Sequence, residues 1–159
     1  MDLTRRVALK AGSGATVYAL AVAAGLIRPA DALAQSSWNK GAFESKSLAE
    51  ATKALGVPAM AESAEVRFTN PTPDIAENGA VVPVTVTSGL PKTQSIAILI
   101  PRNPNTLIAS FDVLDGMDPF VSTRVKMAET SDVYALVKAD GRYYYAKKEI
   151  KVTIGGCGG

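Results

Sequence analysis

The 159-residue chain has no histidine and a single cysteine, Cys157. Without histidine it lacks the usual general base near neutral pH and the commonest metal ligand. With one cysteine it can form neither an intrachain disulfide nor a multi-cysteine metal cluster. Neither charge sign dominates, 17 basic residues standing against 15 acidic, so the balance does not point to a polyanionic partner. These gaps leave no catalytic constellation in the sequence, and neither a metal nor a cofactor is expected. The length is that of one domain. Aliphatic residues and alanine are plentiful enough for a core, with Val, Ile and Thr concentrated after Val66.

The first 34 residues read as an export signal. A basic stretch, Thr4-Arg5-Arg6-Val7-Ala8-Leu9-Lys10, is followed by an uncharged run from Ala11 to Ile27 made mostly of Ala, Gly, Val and Leu. Ala32-Leu33-Ala34 supplies the small residues that a signal peptidase reads, which places cleavage between Ala34 and Gln35. A permanent anchor needs about 20 apolar residues, and this run is shorter and weaker. The Arg5-Arg6 pair resembles a twin-arginine signal, with Ala8 where that motif favours phenylalanine. Such signals export folded proteins, and the implied address is the bacterial periplasm. Losing Arg5, Arg6, Lys10 and Arg28 with Asp2 and Asp31 leaves 13 charges of each sign, so residues 35–159 are formally neutral.

The organisation expected is a signal over 1–34, a β-rich domain with an N-terminal helix over 35–154, and a glycine-rich arm over 155–159. Ser47-Leu48-Ala49-Glu50 fits a capping box. Leu48, Ala51 and Leu55 then share one helical face, with Phe43 packing just ahead and Gly56 as the stop. After Val66 the hydrophobic period becomes two. Seven strands are expected at 66–70, 80–87, 94–100, 107–112, 120–127, 131–139 and 142–154, separated by turn-forming clusters such as Asn70–Asp74. This pattern is that of an all-β, immunoglobulin-like sandwich.

Asp140-Gly141 marks a type I′ hairpin turn, pairing Ala139 with Arg142 and Val137 with Tyr144. Val133, Ala135, Val137, Tyr144, Ala146, Ile150, Val152 and Ile154 then form a core face. Tyr134, Leu136, Lys138, Tyr143, Tyr145, Lys147 and Lys151 form an outer face that reads as a wetted sheet surface, although tyrosine is also enriched at interfaces. Lys148 falls inward by alternation, and a bulge near Lys147–Glu149 is the expected relief.

The chain closes with Gly155-Gly156-Cys157-Gly158-Gly159. Five residues extend at most about 17 Å, and glycine adds no side-chain bulk, so the arm is thin enough to carry a thiol into a narrow cleft. A free thiol has a pKa of about 8.5, and no neighbour in the arm lowers it. Cys157 is therefore a modest nucleophile by itself, activated by whatever site it visits. An incidental cysteine on a loose tail is the plainer reading, but a lone exposed thiol is prone to cross-linking in an oxidising compartment.

The Gly155–Gly159 motif, the twin-arginine-like signal and the β-rich domain together resemble SoxY, the sulfur-carrier family of the bacterial thiosulfate-oxidising system. The resemblance covers essentially the whole chain. It implies a carrier, not an enzyme, that pairs with SoxZ and holds sulfur intermediates covalently on Cys157. SoxAX would couple thiosulfate to that cysteine as an S-thiosulfonate, SoxB would release sulfate, and SoxCD, where present, would oxidise the remaining sulfane sulfur. Two other readings stand beside it. A binding or structural β-sandwich could dimerise through a Cys157–Cys157 disulfide. Ubiquitin-like sulfur carriers also end in Gly-Gly, but they work in the cytoplasm and carry no export signal. Lipidation fits poorly, because Cys157 is third from the end.

Overall fold

In the computed structural model, residues 39–154 are described. They form three layers: a pair of short helices, a six-stranded sheet and a three-stranded sheet. The expected all-β sandwich is the architecture found. Helices α1 (Lys40–Phe43) and α2 (Leu48–Ala54) come first. The strands are β1 (Met60–Glu62), β2 (Val66–Phe68), β3 (Ile75–Ala76), β4 (Val82–Ser88), β5 (Thr93–Leu99), β6 (Leu107–Asp112), β7 (Phe120–Val125), β8 (Ser131–Ala139) and β9 (Arg142–Val152). The large sheet runs β1-β9-β8-β5-β6, with β3 also on β9; the small sheet runs β2-β4-β7.

All seven expected strands are present, and those at 107–112 and 131–139 have the expected bounds. The last strand ends at Val152, two residues early. β1 and β3 are additional to the expected set. Both lie parallel to β9 on the edge away from β8, Met60–Glu62 beside Tyr143–Tyr145 and Ile75–Ala76 beside Lys151–Val152.

Between the sheets, period-two alternation delivers a dry aliphatic core. Val82, Val84 and Val86 of β4 face Ile96 and Ile98 of β5 and Val133, Ala135 and Val137 of β8. Ile96, Ile98, Val84 and Val137 are fully buried, and each such side chain contributes roughly 1.5–3 kcal/mol by leaving water. The β8–β9 hairpin has the expected register, Ala139 opposite Arg142 and Val137 opposite Tyr144. Its turn places Asp140 at φ 48 and Gly141 at φ 75, the two left-handed residues that a type I′ turn requires.

The far side of the large sheet is not a wetted surface. Leu136 is buried, and Tyr134, Tyr143 and Tyr145 pack with Ala42 of α1 and Ala51 of α2 in a second apolar cluster. The helix signals explain how α2 is held there. The Ser47 hydroxyl accepts from the Glu50 amide at 3.2 Å, and the Glu50 carboxylate accepts from the Lys46 amide at 2.8 Å, one residue before the expected partner. At the other end Gly56 adopts φ 70. The Val57 amide bonds the Thr52 carbonyl and the Gly56 amide bonds that of Lys53, the double closure of a Schellman motif. The apolar face of α2 therefore lies over the tyrosine-rich side of the hairpin.

Candidate functional site

Cys157 and its glycines Gly155, Gly156, Gly158 and Gly159 lie outside the described residues, as do Arg5, Arg6, Ala34 and Gln35 of the expected signal. What the structure does define is the root from which the Cys157 segment departs. Four consecutive residues there are held by backbone hydrogen bonds. The Lys151 amide donates to the Asp74 carbonyl at 2.9 Å, Thr153 to Ala76 at 3.1 Å, and the Ile154 carbonyl accepts from Gly79 at 2.7 Å. The Val152 amide donates to the Thr130 hydroxyl at 3.0 Å, and the Thr153 hydroxyl donates to the Glu77 carbonyl at 2.8 Å. The Met127 amide, just past β7, donates to the Gly79 carbonyl at 2.7 Å. Segment 74–79 thus joins the end of β9 to the end of the small sheet and closes this end of the sandwich.

Lys148 braces the same segment. Its register with Val133 is unbroken and no bulge forms, contrary to expectation. The side chain instead runs along the sheet to the rim, where its ammonium donates to the Thr72 carbonyl at 3.1 Å and pairs with the Asp74 carboxylate at 3.0 Å. A long aliphatic stem lets lysine lie against apolar surface while its charge reaches a polar partner.

Ile154 also departs from expectation. Alternation assigns it to the core face, but it is 68% exposed. It keeps the inward parity of Val152, yet it lies past the end of β9. Ile75 and Val81, which flank it on segment 74–81, are 59% and 57% exposed, while their neighbours Ala76 and Val82 point into the core.

Sequence reasoning misses β3 because two residues cannot display a period. The signal available is an apolar pair, Ile75-Ala76, set between the Asn70–Asp74 turn cluster and Gly79. Among the described residues no three His, Cys, Asp or Glu side chains come together as a metal site. Among them, too, no helix is long and apolar enough to cross a membrane.

Fold and root together define a class: a β-sandwich protein whose single thiol follows the anchored end of its last strand. The family model for sulfur oxidation protein SoxY matches residues 51–157, from helix α2 through Cys157. The chain belongs to the SoxY family. It is similar to the solved sulfur carrier protein SoxY from Chlorobium limicola f thiosulfatophilum, with 43% identity over 65% of this chain and 92% of that one, at a TM-score of 0.58. A superoxide reductase (neelaredoxin) from Ignicoccus hospitalis aligns at 19% identity over 55% of this chain and 79% of its own, with a TM-score of 0.48. No curated protein matches the chain.

Proposed function

We propose that this protein is a periplasmic covalent carrier of sulfur intermediates in thiosulfate oxidation, with the thiol of Cys157 as the attachment point. The observation that carries this reading is that the SoxY family match runs through the sandwich and reaches Cys157, the only cysteine in the chain. Loading joins the Cys157 sulfur to the sulfane sulfur of thiosulfate. It removes two electrons, which the c-type cytochrome centre of SoxAX takes up, and it leaves a cysteine S-thiosulfonate. Hydrolysis by SoxB then adds water across the S–S bond to the sulfone, releasing sulfate and leaving a persulfide on Cys157. SoxCD, where present, oxidises that sulfane sulfur onward. SoxZ is the stable partner, and the Arg5-Arg6 signal directs export with cleavage after Ala34.

The division of labour follows from the residues. A chain without histidine supplies no general base of its own near neutral pH, so it serves as substrate while the visited enzymes supply catalysis. A tether raises the concentration of its cargo at each site and prevents loss by diffusion. Glycines flanking Cys157 keep that tether slender.

Intact mass measurement of the exported protein, with and without reductant, tests the reading. Reducible increments of sulfur, sulfite or thiosulfate on the peptide holding Cys157 are expected. A second arm uses Cys157→Ser in a reconstituted system, where thiosulfate-dependent turnover should vanish. Retained turnover, or a thiol found only as a Cys157–Cys157 dimer, would overturn the carrier role.

A further inference from the structure

The geometry points to a docking collar: Ile75, Val81 and Ile154 form an apolar rim around the root of the Cys157 segment, and it seats against the mouth of the enzyme cleft that takes in the thiol. This inference rests on the carrier reading and deepens it by naming the surface a visiting enzyme meets.

The first support is covalent reach. Cys157 is three residues beyond Ile154, so its Cα lies within about 11 Å of Ile154 whatever the conformation between them. Ile154 in turn is fixed, because its carbonyl accepts from Gly79 and the three residues before it are bonded to Asp74, Thr130 and Ala76. An enzyme that brings its reacting atoms to the Cys157 sulfur therefore lowers the rim of its cleft onto whatever surrounds Ile154. Contact at this place is forced by chain length.

The second support is what stands there. Ile75 is in register with Lys151 on the neighbouring strand, and Val81 follows two residues after Gly79, which is bonded to Ile154. The three aliphatic side chains thus surround the exit point, and each is more than half exposed. Of the six large hydrophobic residues exposed among the described residues, the other three (Leu114, Met117 and Phe120) lie toward the opposite end of the sandwich. That end holds the β8–β9 turn, since Asp112 is opposite Ser95 and Ser95 opposite Lys138.

The third support is charge. The groups near the rim carry both signs, with Lys148 paired to Asp74 and Lys151 beside Glu77 in the same segment. No single-sign field is presented, so the fitting partner has an apolar cleft rim rather than a charged one, and docking should respond little to salt.

The test uses the full chain with its partner subunit in a reconstituted mixture oxidising thiosulfate. The double variant Ile75→Ser/Val81→Ser changes two outward-facing side chains that no core contact requires. It should raise the KM for the carrier about tenfold, equivalent to about 1.4 kcal/mol of binding. The alkylation rate of Cys157 by iodoacetamide and the melting temperature should remain those of the parent. Should the variant lose thermal stability, Ile75→Thr/Val81→Thr, which preserves β-branching, replaces it in the same assay. An unchanged KM with an intact melting temperature overturns the collar, whether or not self-association changes. Cys157→Ser run alongside separates the two ideas: if it keeps turnover, the carrier reading falls, and if it is inactive while the double variant has a parental KM, only the collar falls.

Discussion

Lys148 shows how one charged residue can occupy a position that alternation assigns to the core. The sequence makes its inward direction legible, since it shares parity with Ala146 and Ile150. The way that charge is accommodated is not legible, because its partners Thr72 and Asp74 come from 76 and 74 residues earlier in the chain. Local pattern suggests a bulge; a distant loop supplies a carbonyl and a carboxylate instead. Replacing Lys148 with methionine retains the stem and removes the charge. The exposed ion pair itself counts for little, so the expected loss of stability is about 1 kcal/mol, mainly the charge-assisted hydrogen bond to Thr72. The sharper readout is amide hydrogen exchange at Lys151 and Thr153, which should accelerate once segment 72–76 loosens. Exchange at the parental rate would show that the brace is idle. Gly141 behaves differently: a methyl group there meets nothing within 4 Å, but the backbone sits at φ 75. Gly141→Ala should therefore cost about 1 kcal/mol through backbone conformation alone, measurable by urea denaturation, with no effect on sulfur loading at the opposite end of the domain. Cys157 stands at the other extreme of legibility, since its uniqueness and its glycine setting are plain in the sequence itself.

Among elements, legibility follows length. Strands of six residues or more announce themselves by alternation, and α2 by its capping box and Gly56 stop. The three-residue β1 and two-residue β3 do not, because their identity comes from hydrogen bonds to β9 and not from any pattern of their own. A second miss has another cause. Both halves of the helix–sheet contact are visible, the Leu48–Ala51–Leu55 stripe and the Leu136-tyrosine face, but nothing local says that they meet. An apolar helix stripe needs a surface to cover, and here it covers the outer side of the hairpin. Leu136 lies in that interface, 3% exposed. Leu136→Ala should cost about 2–4 kcal/mol, through lost transfer energy and the cavity left behind, read as a lower urea midpoint with an unchanged slope. A loss under about 0.5 kcal/mol, the range of ordinary surface changes, would mean that the helices do not seal this face in solution.

For the whole molecule, the anchored domain and the Cys157 segment should be separable in experiment. Gly156→Val/Gly158→Val adds bulk on both sides of the thiol without touching residues 39–154. Thiosulfate-dependent loading should slow several-fold, while the melting temperature moves by less than about 1 °C, as expected for changes remote from the core. A clear drop in melting temperature would show that the segment packs on the domain. The same order of strands sets the course of folding. β1 and β3 find their hydrogen-bonding neighbour only in β9, which is synthesised about 80 residues after them, and long-range pairings of this kind form slowly. A nascent chain interrupted before Arg142 holds two strands with no template and an uncovered flank on β8, an open invitation to aggregation. Completion of the sandwich is thus tied to the arrival of the strand that leads to Cys157, so a folded domain certifies that its arm-bearing strand has been made.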